Sequence, residues 1–159
     1  MHEDLEPIAN LKYGQVVEHA SKEGQTKLSA QMADLAARGL SNSGMMVSAR
    51  MNSALDTSER TCRAIYEIWL DLILQRNQGK ISREDINFIM DKVNACVQAR
   101  ALQIAQAIAT PGAPDVQWAV DQARGKMQSV GSVIGRELEI KFREQEAFRK
   151  EEIARDTSF

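Results

Sequence analysis

Apolar residues are densest between residues 58 and 78, where they recur at the three- and four-residue intervals typical of a helix. Within this stretch the polar positions form one narrow stripe, made of Arg63, Glu67, Asp71, Gln75 and Gln78. A helix with a single polar stripe needs neighbours around most of its circumference. The pattern therefore predicts that this helix is the central element of a helical bundle.

Weaker apolar stripes elsewhere predict three further helices. The first predicted helix spans residues 10–38 with Gly39 as C-cap, and the second spans 45–77 after Ser41 or Ser43 as N-cap. The third runs from the N-cap Ser82 to the proline-containing segment 110–114, and the fourth follows the N-cap Asp115. Long helices joined by short turns favour an all-α fold, an antiparallel bundle of four helices.

The end of the chain has a different character, since residues 136–156 carry many charges and few apolar side chains. Glu139 with Arg143 and Glu151 with Arg155 are four residues apart in the order that stabilises a helix. We expect this segment to project beyond the bundle, or to lie on it through Phe142 and Phe148. The predicted organisation is therefore a flexible lead-in (1–9), a helical bundle domain (10–135) and a charged helical extension (136–159).

Composition agrees with a helical protein of one domain, because 43% of residues are hydrophobic but only 5% are aromatic. The net charge is −2 and the chain has no basic block, so we expect no nucleic-acid partner. The start of the chain lacks the pattern of a Sec signal, and the most apolar window, 64–74, is too short for a membrane span. These features favour a cytoplasmic protein, with export by a route without a cleavable signal as the alternative.

Signatures of catalysis and of metal binding are missing from the sequence. It contains no nucleophile elbow, phosphate loop or zinc-protease motif, and no Glu-x-x-His pair of the kind that di-iron bundles use. We therefore predict no catalytic residue, no metal and no cofactor. A non-enzymatic protein is favoured, and an enzyme of an unfamiliar helical type stays open as a further alternative.

The segment from Gly79 to Asp85 resembles the second half of an EF-hand calcium loop. Aligned on that glycine, three of the ligand positions fall on Leu74, Arg76 and Gln78. Calcium needs several carboxylate or carbonyl oxygens around it, and a leucine and an arginine do not supply them. We interpret the segment as a capped turn between two helices and predict that it does not bind calcium.

Cys62 and Cys96 lie equally far from Gly79 on either side. If the second and third helices form a hairpin about that glycine, the two thiols lie at the same height, and Trp69 lies beside Ile89 and Met90. We interpret each cysteine as a small buried apolar residue. Whether the two thiols touch is left open by the sequence.

For function, the sequence favours a structural or interaction protein that associates with itself, or with another helical protein, through helix faces of the coiled-coil type. The hypothetical interface lies on the fourth helix and consists of Gly131, Gly135, Leu138, Phe142 and Phe148. The two glycines are four residues apart and favour a close helix crossing or a kink. The alternative function is binding of a hydrophobic small molecule or cofactor, in a pocket formed by Met127, Gly131 and Trp69.

Overall fold

The computed structural model describes residues 2–40, 44–108 and 116–157. It confirms the all-α prediction, because the described residues form four long helices and no strand. The helices are α1 (Glu6–Ala37), α2 (Gly44–Arg76), α3 (Arg83–Ile108) and α4 (Gln117–Thr157). The caps predicted at Ser41, Ser43 and Asp115, and the proline-containing segment 110–114, lie outside the described residues.

The first helix, α1, begins at Glu6, earlier than the start predicted near residue 10. Pro7 fits the first turn, where a backbone N–H has no partner within the helix. Leu5 and Ala9 are buried and belong to the main hydrophobic core. Residues 6–9, predicted to be part of the lead-in, are therefore helical, and burial of apolar side chains holds this end of the helix on the bundle.

The turn between α2 and α3 is built from two residues with left-handed backbone angles, Gln78 (φ 56°) and Gly79 (φ 82°). Ser82 then caps α3 as predicted, since its hydroxyl accepts a hydrogen bond from the Asp85 N–H at 3.1 Å. In return the Asp85 carboxylate accepts one from the Ser82 N–H at 3.0 Å. This reciprocal pair satisfies two backbone donors at the helix start.

The central position belongs to α2, which contacts each of the other three helices. Ile73 and Cys62 are fully buried on it, and Trp69 and Leu70 are 5% exposed. The prediction that residues 58–78 form the central element is therefore confirmed.

The hairpin of α2 and α3 has the register that was predicted from its glycine turn. The sulfur atoms of Cys62 and Cys96 are 3.0 Å apart. The Trp69 ring lies edge-on to Phe88, one position from the predicted neighbour Ile89, with ring centroids 4.8 Å apart. Because earlier residues of α2 meet later residues of α3, the two helices run in opposite directions.

The last helix, α4, extends beyond the bundle as predicted, but the extension begins after Gln145, ten residues later than the predicted start at residue 136. Gln145 is hydrogen-bonded to Ile81 in the α2–α3 turn, which marks the end of the bundle. Every residue from 146 to 157 is exposed, although all are helical. At ~1.5 Å per residue this part, called here the projecting segment, is about 18 Å long.

Candidate functional site

Four of the five residues of the predicted interface lie inside the bundle. A Cβ atom added at Gly131 would lie 3.6 Å from Asn94 and Val97 of α3, and one added at Gly135 would lie 3.4 Å from Met90. The two glycines therefore mark a close crossing of α4 over α3. That is the structural role that their four-residue spacing favoured.

Leu138 and Phe142 continue this buried face towards the end of the bundle, with 0% and 9% exposure. The Arg83 guanidinium covers the Phe142 ring, 4.3 Å from its centroid. Phe148, by contrast, is 65% exposed. Of the five predicted interface residues, Phe148 is thus the one whose side chain can reach another molecule, because neighbouring helices cover the rest.

The residues of the alternative ligand pocket lie at different levels of the bundle. Trp69 packs at the level of Phe88, whereas Gly131 contacts α3 farther along, at Asn94 and Val97. Met127 is fully buried. It also contributes to a shallow cleft of about 590 Å³ between α2 and α4, beside Val130. The three residues therefore do not surround one common space.

A larger open cleft, of about 1430 Å³, lies between the projecting segment and the α2–α3 turn, and we call it the C-terminal cleft. Its apolar lining residues are Leu70, Leu74, Ile81, Phe142, Phe148 and Ile153. Charged side chains of both signs stand among them, including Lys80, Lys141, Arg149, Glu146, Glu152 and Asp156. The lining of the C-terminal cleft is therefore both apolar and charged.

Two polar contacts hold α4 where it leaves the bundle. Arg83 donates two hydrogen bonds to the Glu139 carboxylate, at 2.6 and 3.1 Å. Hydrogen bonds from Arg83 and then from Arg143 lower the pKa of Glu139 to about 2. The Gln145 amide forms its two bonds to the Ile81 backbone beyond that point. The direction in which the projecting segment leaves the bundle is therefore set by specific contacts.

His2 and Asp85 form a partly buried contact at the α2–α3 turn that was not predicted. His2 Nε2 lies 2.7 Å from the Asp85 carboxylate, and the His2 ring stacks on Phe88 at 4.0 Å. Burial raises the pKa of Asp85, but hydrogen bonds from Ser82 and His2 outweigh it and lower the pKa. The residues are 83 positions apart, so no local pattern could have indicated the pair. The contact fastens the start of the chain to the bundle.

A second unpredicted cluster surrounds the two cysteines. The Tyr13 hydroxyl lies 3.9 Å from the Cys96 sulfur, and Arg100 donates to the same hydroxyl at 3.3 Å. The pKa of Cys96 is lowered, and the largest cause is the hydrogen bond from the Cys62 thiol. Tyr13 and Arg100 lower it further, whereas burial opposes the shift. The hydrogen bond between the two thiols, together with burial, raises the pKa of Cys62. The two sulfurs are thus chemically unequal.

Two further properties bear on possible functions. Over the described part of the chain, no group of three or more His, Cys, Asp or Glu side chains is arranged to hold a metal ion. Asp85, the last position of the calcium-like segment, is engaged by Ser82, His2 and Asn77. None of the four helices, within their described residues, combines the length and apolar character needed to cross a membrane.

Comparison of the chain with models of protein families, with curated proteins and with solved structures gave no match.

Proposed function

We propose that this protein is a non-enzymatic interaction module that associates with a second copy of itself through the projecting segment and the C-terminal cleft. The observation that carries the proposal is the exposure of two large apolar side chains on a helix outside the bundle. Phe148 is 65% exposed and Ile153 is 54% exposed. Both border the C-terminal cleft, where the partly buried Leu74 supplies further apolar surface.

The lack of packing along the projecting segment supports the same proposal. In proteins, most of the stability of a helix comes from packing of its apolar face and not from helix propensity. Residues 146–157 are all exposed, and an ion pair within the segment joins Arg155 and Glu151 at 4.0 Å on the same helix. A second copy that covers Phe148 and Ile153 would stabilise this helix by removing apolar surface from water.

The charges favour a second copy over a strongly charged partner. The projecting segment alternates acidic and basic residues, with Glu146, Glu151, Glu152 and Asp156 beside Arg149, Lys150 and Arg155. Two such segments that run in opposite directions can pair unlike charges along both edges of an apolar contact. A twofold arrangement uses one self-complementary surface twice, which is the commonest symmetry of soluble oligomers.

Light scattering on a size-exclusion column tests the proposal. The native chain should form a dimer or larger species as its concentration rises, and the double variant Phe148→Ser/Ile153→Ser should stay monomeric. Leu102→Ser is the matched control, because Leu102 is equally exposed, at 61%, but lies on α3 away from the cleft. A native chain that is monomeric at high concentration, or a control that dissociates like the double variant, would contradict the proposal.

Binding of a hydrophobic ligand near α4 stays the alternative, with less support. The glycine face of α4 is occupied by side chains of α3, and the nearest cleft to Met127 is shallow. A thermal-shift screen with hydrophobic and cofactor-like compounds separates the two functions. A ligand that raises the melting temperature of the monomeric double variant would favour the alternative.

A further inference from the structure

The thiols of Cys62 and Cys96 face each other across the contact between α2 and α3. Their sulfur atoms are 3.0 Å apart, and the Cys62 thiol donates its hydrogen to the Cys96 sulfur. A disulfide requires ~2.05 Å between the sulfurs and Cα atoms no more than ~7 Å apart. An approach of about 1 Å by two side chains on facing helices meets the first requirement. The two sulfurs are therefore within about 1 Å of the bonding distance of a disulfide.

The surroundings distinguish the two sulfurs. Cys96 receives a hydrogen bond from Cys62 and lies 3.9 Å from the Tyr13 hydroxyl, with Arg100 behind it. Each of these groups stabilises a thiolate at Cys96, which is the nucleophilic form of cysteine. Cys62 is fully buried, and its hydrogen bond to Cys96 together with burial raises its pKa. The arrangement thus pairs one attacking sulfur with one resolving sulfur.

Cys96 is also the more accessible of the two, with 8% exposure against 0% for Cys62. It lies along the seam between α1 and α3, where no described Cα atom of one helix is within 8 Å of the other. Tyr13 and Arg100 bridge the seam there with their side chains. A small oxidant can therefore reach Cys96 when two side chains move, without unfolding of a helix.

We propose that Cys62 and Cys96 form a redox-active dithiol, which a small hydroperoxide oxidises to a reversible disulfide between α2 and α3. The inference rests on the contact of the two sulfurs and is independent of the proposed self-association.

The chemistry balances in two steps. The Cys96 thiolate attacks one peroxide oxygen, the O–O bond breaks, and the departing oxygen takes a proton to leave as an alcohol or water. Cys96 is then a sulfenic acid. The Cys62 sulfur attacks the sulfenic sulfur, the S–O bond breaks, and the hydroxide leaves with the Cys62 proton as water. Two thiols have lost two electrons in total, and the peroxide has gained them.

The test uses the reduced 159-residue chain and hydrogen peroxide at a few equivalents. Remaining thiols are blocked under denaturing conditions, and peptides are mapped by mass. The expected product joins the Cys62 and Cys96 peptides within one chain, with the loss of two hydrogen atoms and recovery of both thiols after treatment with dithiothreitol. Two thiols that are still free after the peroxide treatment, or a disulfide between chains instead, would overturn the proposal.

Variants assign the two roles. Cys62→Ser should stop at a sulfenic acid on Cys96, which dimedone traps, and Cys96→Ser should lose the rapid reaction. If peroxide formed a sulfenic acid on Cys62 in the Cys96→Ser variant as fast as it oxidises the native chain, the assignment of the two roles would be refuted. Tyr13→Phe keeps both thiols and should slow oxidation a few-fold, because one hydrogen bond to the Cys96 sulfur is lost. Circular dichroism identifies any variant that fails to fold, and the result with the native chain needs no variant.

Discussion

The side-chain amide of Gln145 forms two hydrogen bonds with the backbone of Ile81. Gln145 Oε1 accepts from the Ile81 N–H at 2.7 Å, and Gln145 Nε2 donates to the Ile81 carbonyl at 2.8 Å. The glutamine amide thus acts like a neighbouring peptide group. It gives the N–H and the carbonyl of Ile81, between α2 and α3, a hydrogen-bond partner each. The pair joins α4 to the α2–α3 turn at the point where the bundle ends.

Replacement of Gln145 should therefore weaken the bundle. Gln145→Ala leaves the partly buried N–H and carbonyl of Ile81 without these partners, which should lower the free energy of unfolding by about 1–3 kcal/mol. Gln145→Glu should be similarly harmful, because a carboxylate cannot donate to the carbonyl. Urea denaturation measures both variants. The exposed neighbour Glu144→Ala is the control and should change stability by less than ~0.5 kcal/mol.

The register of the α2–α3 hairpin was predictable from the sequence, because a short turn leaves little freedom in how two helices align. Equal spacing from Gly79 placed Cys62 beside Cys96, and Trp69 within one position of its observed neighbour Phe88. The periodic apolar stripe likewise identified α2 as the central helix. These features depend on local residues and on the regular geometry of a helix.

The candidate site was predictable only in part. The spacing of Gly131 and Gly135 indicated a close approach, but periodicity does not say which neighbour covers a helix face, and that neighbour is α3. The contact of His2 with Asp85, and that of Tyr13 with Cys96, join residues far apart in the chain. Such contacts follow from how the helices pack and leave no local pattern in the sequence.

Alanine substitution should affect the free energy of unfolding differently at two glycines of the helices. A Cβ atom at Gly125 has no atom outside its own helix within 4 Å, whereas one at Gly24 would lie 2.7 Å from the Thr57 hydroxyl oxygen. Gly125→Ala should stabilise the protein by up to about 1 kcal/mol through helix propensity. Gly24→Ala should be less stable than Gly125→Ala by about 1–3 kcal/mol, because Thr57 must move away.

The contrast is checked by urea denaturation of the two variants. In a Thr57→Ala background the obstructing oxygen is gone, so Gly24→Ala should then become as favourable as Gly125→Ala. Equal stability of both single variants would mean that α1 and α2 do not approach closely at Gly24.

Asp85 should make the stability of the bundle depend on pH. Its pKa in the folded protein is below the value of ~3.9 expected for an unfolded chain. Its contribution is therefore complete above that unfolded value and is lost as the pH falls through the lower folded pKa. At pH 7 Asp85→Asn should cost about 1–2 kcal/mol, because the cap is weakened and the charge is lost.

The measurement is the difference in unfolding free energy between the native chain and Asp85→Asn, at pH 7 and at pH 3. The difference should shrink at the lower pH. Glu84→Gln changes an exposed carboxylate at the neighbouring position and serves as the control. A difference that stays constant over this range would contradict the assigned role of the Asp85 carboxylate.

Removal of the projecting segment should separate folding from association. A chain that ends at Gln145 keeps Phe142 and both hydrogen bonds to Ile81, so its unfolding free energy should change by less than about 0.5 kcal/mol in the monomeric state. A chain that ends at Lys141 also loses Phe142, which is 9% exposed, and should be destabilised by about 3–5 kcal/mol.

The chain that ends at Gln145 also tests the proposed self-association. The chain that ends at Gln145 should stay folded yet remain monomeric at concentrations where the native chain associates, because Phe148 and Ile153 are absent. Circular dichroism and light scattering on the same samples measure both properties. If that chain still associated like the native one, the interface would have to lie on the bundle itself, and the exposed residues Leu11 and Trp118 would be the next to substitute.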